Sequence, residues 1–482
     1  MVDVDVDVLV VGAGTAGLVA ARTARSLGAS VLLAERGRFG GDCLWTGCVP
    51  SKALIAAAEA AAQARSADRF GVHTGPVRID GAAVVAHVHA AVARIEPADS
   101  PASLHEDGIR TLSGNVVLSG ADTGRGGAVT ATVAGTVVRA GRVVLATGAT
   151  PTVPDLPGLA ALEPDTTETL WDSLSRAGGL PGRLAVIGGG PVGCEIAQAM
   201  ARLGVAVTLV HSGSRLLHRE DPQASGLVTD ALRADGVRVL TDSRAAGFRG
   251  DREGGQLDLS GNGSVAFDRV LVAVGRIPSS SGLGLAAMGV DTDSRAAVRV
   301  DRSQRTSNDR IWAAGDVTGP PYFTHLAGVA GSNAATNAVL GLHRRLDPDA
   351  VPRVTFTRPE VAAIGITDPG ARRGLHEQTI THEELDRAIA DADTAGFTRL
   401  ILDRFGRLVG ATIVGPRAGE SLGELSLAVT EGVRSSTLAG AVHAYPTYSD
   451  GVWNAAVADV RARLRGPVVS RAIGLLTRIR TR

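Results

Sequence analysis

Cysteine is scarce in this chain of 482 residues: there are three, Cys43, Cys48 and Cys194. That excludes a small scaffold stapled by disulfides. Lysine is scarcer still. Lys52 is the only one, and every other strongly basic side chain is Arg. Net charge is missing as well: 49 basic and 49 acidic residues give a formal charge of zero. This argues against nucleic acid as the main partner. No apolar run reaches the length of a membrane span. The start, Met1-Val2-Asp3-Val4-Asp5-Val6-Asp7, is acidic and alternating and lacks the basic head and apolar stretch of a signal peptide. The expected location is therefore the cytoplasm.

What is present is concentrated. Two of the three cysteines and the single lysine lie in one stretch, Gly40-Gly41-Asp42-Cys43-Leu44-Trp45-Thr46-Gly47-Cys48-Val49-Pro50-Ser51-Lys52. Lys is a compact point charge and Arg a planar fork, so this place needs a compact ammonium. Two cysteines four residues apart, with no His or second pair nearby, make a poor zinc site, because zinc wants four ligands. No metal ligands are expected. The spacing allows a redox-active disulfide, or two reduced structural cysteines. Pro50 near the first turn and the Ala-rich run after it predict a helix. Cys48 then lies just before a helix N-terminus, where the dipole favours a thiolate.

The glycines carry the second signal. The 61 glycines and 44% hydrophobic content fit a glycine-rich α/β nucleotide-binding protein of two to four domains. A strand over Val6 to Val11 runs into Gly12-Ala13-Gly14-Thr15-Ala16-Gly17, then a helix to about Leu27 and a strand from Ser30 to Ala34 ending at Glu35. That is a complete dinucleotide fingerprint. The glycines at positions 12, 14 and 17 permit a tight turn, close pyrophosphate approach and helix packing, and the acid takes the ribose hydroxyls. A second βαβ start follows at Leu184–Ile187 with Gly188, Gly190 and Gly193. Two units imply two dinucleotides. The second partner strand, Ala206 to Val210, ends in His211-Ser212 rather than an acid, with Arg215 and Arg219 beyond. A carboxylate repels a 2′-phosphate, whereas His, Ser and Arg bind one, which favours NADPH over NADH. Cys194 reads as packing.

Elsewhere the pattern is helical from Ala53 to about Ile95 and breaks at Asp99-Ser100-Pro101. Thr111 to Val138 alternates β-like runs with turns such as Gly124-Arg125-Gly126-Gly127, suggesting an antiparallel insertion. Pro151, Pro154 and Pro157 mark a linker. Strands are expected over Phe356–Val361 and Gly396–Leu402.

Together the dithiol stretch and the two glycine loops resemble the flavin-dependent pyridine nucleotide–disulfide oxidoreductases, which include dihydrolipoamide dehydrogenase, glutathione reductase and mercuric reductase. The resemblance spans nearly the whole chain. It implies two Rossmann-like domains, for FAD and NAD(P)H, and a C-terminal α+β dimerisation domain. Residues 1–150 and 276–348 would form the FAD side, 151–275 the NAD(P)H domain and 349–482 the interface domain of a homodimer. Cys48 would be the thiolate beside the flavin and Cys43 the interchange thiol. Glu35 would hold the FAD ribose, and Glu195 would pair with Lys52 near the flavin. Thr147-Gly148, Gly275-Arg276 and Gly315-Asp316 resemble the family's cofactor-contact segments, with Asp316 at the ribityl chain.

One segment departs from the disulfide reductases. Their His-Pro-Thr acid–base segment, contributed across the interface, reads here His443-Ala444-Tyr445-Pro446-Thr447-Tyr448-Ser449-Asp450. Tyr445 stands in the place of the base and Asp450 in that of its Glu; His443 matches an upstream His that is not the family's base. A phenol with a pKa of about 10 is a poor base at neutrality. The acceptor is then expected to be a soft metal ion, a quinone or an unidentified disulfide. Mercuric reductases share this departure, but their C-terminal cysteine pair is missing here, which argues against mercury as the physiological substrate. An ordinary dihydrolipoamide dehydrogenase, and a non-catalytic flavoprotein subunit or redox sensor, are the rival expectations. Finally, residues 461–482 carry seven arginines, no acid, and an apolar set of Ile473, Leu475, Leu476 and Ile479. The sequence favours a solvated helix there over contact with an anionic membrane.

Overall fold

The structure, a computed structural model, describes residues 4–121, 127–261 and 263–480. The opening Met1-Val2-Asp3, the Gly124-Arg125-Gly126 turn and the terminal Arg482 lie outside the described residues. Packing divides the chain into two units. The first comprises 1–188, 199–210 and 243–347, and the second 189–198, 211–242 and 348–482.

In the first unit the β-branched run Val4–Val11 is the middle of a sheet. It pairs in parallel with Val31–Glu35 (Val8 opposite Val31) and with Thr136–Leu145 (Val8 opposite Arg142). The short strand Ile311–Ala313 pairs in parallel with Thr136–Leu145. An antiparallel meander, Val116–Ala121, Val129–Val133 and Thr136–Leu145, extends the sheet as the alternating sequence predicts. Both faces are covered. On one, helices Thr15–Ser26 and Thr324–Leu340 bury Val8, Val10, Leu33 and Val144. On the other, Leu283, Leu285, Met288 and Val290 cover Leu9, Leu32 and Leu145. Truncating a fully buried Leu such as Leu33 to Ala costs about 2–5 kcal/mol. This unit also holds three parallel strands, Ala206–Val210, Arg183–Ile187 and Arg269–Val272, the second in the middle.

The second unit is built on a five-stranded antiparallel sheet. Its order is Arg353–Thr355, Glu360–Gly365, Leu408–Gly415, Phe397–Leu402, His376–Thr381. Helices Ala418–Thr430 and Asp450–Leu464 pack on it through Leu422, Leu425, Val452 and Ala455. Arg399 pairs with Asp221 at 2.6 Å and Arg353 with Glu220 at 2.8 Å.

Two expectations about local structure are corrected. The helical pattern from Ala53 to Ile95 is two helices, Cys48–Ser66 and Gly81–Ile95. Gly71, Gly75 and Pro76 interrupt it, and Asp80 caps the second helix by accepting the amide of Ala83. The strand expected over Phe356–Val361 instead begins at Glu360. The residues before it bend around Arg358-Pro359, because Pro cannot donate to a ladder.

Candidate active site

The first glycine loop is shaped by what a side chain would hit. Gly12 has φ +101°, and a Cβ there would meet the Ala146 carbonyl oxygen at 2.4 Å; one on Gly17 would meet the Gly12 carbonyl oxygen at 1.8 Å. The helix after the loop starts at Thr15, and its N-cap, Gly14, offers no side chain to the first-turn amides. Those amides form an anion seat. Glu35 lies at the lip. Its carboxylate accepts the amides of Ala13 and Gly37, both at 2.7 Å.

The dithiol stretch is anchored on this loop. Gly40 donates its amide to the Ala13 carbonyl at 2.9 Å. Gly41 has φ +66°, and a Cβ there would lie 2.5 Å from the Gly14 Cα, so the two backbones touch. A short helix, Gly41–Trp45, carries Cys43. Trp45 donates its indole N–H to the Phe39 carbonyl at 2.6 Å, and Trp171 donates to that of Thr46 at 2.8 Å. Both indoles pin the segment between the cysteines. Beside it opens a cavity of about 290 Å³ walled by Trp45, Trp171 and Val92.

Cys48 is the first residue of its helix rather than the residue before it. Cys43 and Cys48 are unbonded thiols whose side chains hydrogen-bond to each other. Cys48 Sγ lies 3.2 Å from the hydroxyl of Thr324, which is itself the first residue of the helix Thr324–Leu340. Two helix N-termini therefore meet at one sulfur. The hydrogen bond from Cys43, then Thr324 and the Lys52 charge, outweigh partial burial and draw the Cys48 thiol down to about 6. The same pairing pushes the Cys43 thiol up. Near neutral pH the stable reduced form is thus Cys48 thiolate with Cys43 thiol.

Arg276 ties this site to Asp316. Its guanidinium is 2.7 Å from Asp42, 3.6 Å from Glu168 and 3.9 Å from Asp316. Burial and the Asp42 carboxylate lift the Asp316 carboxyl to about 6 despite Arg276. Gly315 precedes it with φ +77° and packs against Ala16 and Ala327. Thr147 donates its hydroxyl to the Ser279 carbonyl at 2.7 Å. Gly148 has φ +70° and its carbonyl accepts the Ser279 amide. Gly275, at φ +140°, accepts the Thr152 amide.

The second glycine loop repeats the first with one exchange. Gly188 has φ +118°, and a Cβ there would meet the Ala273 carbonyl oxygen at 2.3 Å. Gly190 is open, with nothing within 4 Å of a Cβ, and Gly193 is buried in the helix Pro191–Arg202. Where Glu35 accepts an amide in the first loop, His211 accepts the Gly189 amide at its Nδ1, 3.2 Å away. Burial, then His218, push the His211 imidazole toward its neutral form. The proton then sits on Nε2, which is a donor. Ser212 and Arg219 are exposed. Arg215 braces the loop, donating to the carbonyls of His218 and Glu220.

In the second unit Glu195 is buried and accepts the Phe356 amide at 2.9 Å. His443 Nε2 is 3.0 Å from the Glu424 carboxylate. Tyr445 is 72% exposed and donates its hydroxyl to Asp386 at 2.5 Å, which holds the phenol above its ordinary range. Asp450 accepts the Thr447 amide at 3.0 Å and so shapes the turn. The phenol's carboxylate partner is Asp386, a residue the sequence did not single out. Thr324 was missed as well, since no local signal marks it; Gly41 stood in the dithiol stretch but without a role of its own.

Residues 6–339 match the pyridine nucleotide-disulphide oxidoreductase family, and residues 351–456 match its dimerisation domain. The chain belongs to that family. A mercuric reductase from Streptomyces lividans is 36% identical over 459 residues, covering 92% of this chain and 94% of the relative. A dihydrolipoyl dehydrogenase from Chlamydia trachomatis is 32% identical over 462 residues, covering 93% and 95%. The crystal structure of LpdA from Mycobacterium tuberculosis superposes with a TM-score of 0.84 at 29% identity, over 93% of this chain and 99% of that one. The protein is therefore an FAD-dependent NAD(P)H disulfide oxidoreductase of mixed α/β fold, and its dimerisation domain supports homodimer formation. The uncapped seat at Gly14 and the carboxylate of Glu35 fit a dinucleotide such as FAD. Among the described residues no helix is long and apolar enough to cross a membrane.

Proposed function

We propose that this enzyme takes electrons from NADPH and delivers them through the Cys43–Cys48 pair to a soft metal ion or a quinone. The observation that carries the acceptor class is Tyr445: an exposed phenol tied to Asp386 stands where a disulfide reductase of this family needs a base. FAD, held by the Gly12, Gly14, Gly17 and Glu35 loop, supplies the two-electron relay between nicotinamide and disulfide. This chain's own residues do the rest. Two electrons and one proton convert the disulfide to Cys48 thiolate and Cys43 thiol. Cys48 is stabilised by Thr324 and Lys52, and Cys43 keeps its proton and meets the acceptor. Thr147, Gly148, Gly275, Arg276, Gly315 and Asp316 complete the FAD seat, and Glu195 with Lys52 tunes it. The neutral His211 and Ser212 where Glu35 stands in the first loop, with Arg215 and Arg219 following in the sequence, support NADPH over NADH. Residues 1–150 and 276–348 serve FAD, 151–275 the nicotinamide nucleotide, and 349–482 a homodimer interface, in the cytoplasm.

A second reading has its own observation. His443 and Glu424 form an imidazole–carboxylate pair, the chemistry of a general base, and curated relatives include dihydrolipoyl dehydrogenases. Anaerobic NADPH titration with a Cys48→Ser control, then parallel turnover assays with mercuric ion, cupric ion, a benzoquinone and lipoamide, separates the two. Long-wavelength absorbance lost in the control, with metal or quinone outrunning lipoamide, is expected. Lipoamide turnover that dominates and falls in His443→Gln would overturn the acceptor assignment. Identical bleaching in both proteins would remove the cysteines from the electron path.

A further inference from the structure

The matched dimerisation domain ends at residue 456, yet the chain continues in order. After Asp450–Leu464 comes a last helix, Pro467–Arg480. Every residue of it from 469 to 480 is exposed, and Leu476 and Ile479 keep 60% and 64% of their surface. At about 100° per residue, Val469, Ala472, Ile473, Leu475, Leu476 and Ile479 share one arc of about 160°. Arg471 and Arg478 lie on the opposite face, and Arg480 closes the arc at its C-terminal end. A helix with such an apolar arc left in water is an unpaired surface.

The charge names what would cover it. The last acid in the sequence is Asp459; seven arginines follow at 461, 463, 465, 471, 478, 480 and 482. Arg463 is held by Asp459 at 2.8 Å, but Arg461, Arg465, Arg471, Arg478 and Arg480 are exposed. A second copy of this helix laid against the first would bring two arginine rows together. A surface both apolar beneath and anionic above satisfies both faces at once. The helix is too short to span a bilayer, so it lies in the interfacial plane. We infer that Pro467–Arg480 is an interfacial helix that docks the enzyme on anionic phospholipid. This reverses the weighting drawn from the sequence, where a solvated helix was favoured; it does not depend on which acceptor the enzyme uses.

Flotation of the full-length holoenzyme tests it. The vesicles are pure phosphatidylcholine, and equal parts phosphatidylcholine and phosphatidylglycerol. Co-flotation only with the mixed vesicles is expected, weakening as salt rises. Ile473→Glu with Leu476→Glu should abolish it. Arg471→Gln with Arg478→Gln should weaken it by at least about tenfold. Both variants should keep the parent's NADPH oxidation rate, because neither touches the nucleotide or dithiol residues. Absence of co-flotation with the mixed vesicles, or equal binding to both kinds, would overturn the inference. So would a parent that does not float while Ile473→Glu/Leu476→Glu changes its mass by light scattering, which would make a second copy of the chain the occupant.

Discussion

Cys48 Sγ and the Thr324 hydroxyl stand 3.2 Å apart, each on the first residue of a different helix. A hydroxyl donated to a thiolate is a charge-assisted hydrogen bond. Thr324→Val should therefore raise the pKa read from the pH dependence of Cys48 alkylation, in a Cys43→Ser background, by about one unit. Lys52→Gln should move it the same way, since the ammonium favours the thiolate. Alkylation profiles that superpose on the parent's would show that neither group acts on the sulfur.

His211 should decide the nucleotide. Its Nδ1 accepts the Gly189 amide and its ring also bonds the Arg215 backbone, so a neutral imidazole stands where Glu35 in the first loop presents a carboxylate. His211→Glu rebuilds the acceptor. The ratio of kcat/KM for NADPH over NADH should fall by at least about tenfold. A ratio unchanged by the substitution would move the preference elsewhere.

His382 should make the second unit acid-sensitive. It is fully buried, its Nε2 meets the Thr398 hydroxyl at 3.2 Å, and its ring fills the space left by Gly396 and Gly415. Burial depresses the imidazole to about 4, opposed weakly by Asp393. The unfolded chain then binds more protons than the folded one as pH falls below the ordinary histidine value of 6.5. Stability present at neutral pH is lost on acidification, by about 2 kcal/mol between about pH 7.5 and pH 5. Denaturant midpoints across that range should fall less steeply in His382→Gln than in the parent. Equal slopes would clear His382 of the effect.

Motifs held in consecutive residues were legible in the sequence. Gly12 to Gly17, Glu35, Cys43, Cys48 and Lys52 sit in short windows whose chemistry is local: turn, helix start, thiol spacing. What joins distant windows was not. Thr324 reaches Cys48 across 276 positions and Asp386 reaches Tyr445 across 59. Neither residue type is unusual where it stands. The break between Ser66 and Gly81 was written in Gly71, Gly75 and Pro76, but an alanine-rich run on both sides hid it. His211 was readable because it fills a slot where the pattern expects an acid. Its tautomer was not, since that depends on which nitrogen the Gly189 amide meets.

The contact of Gly41 with Gly14 has a mechanical result. No side chain separates the first glycine loop from the turn that carries the thiols. The two backbones bear directly on each other, and the Gly40 amide adds a hydrogen bond to the Ala13 carbonyl beside the contact. A methyl group at Gly41 would act as a wedge, 2.5 Å from the Gly14 Cα, whereas one at Gly14 would meet Gly41 only at an ordinary 3.8 Å.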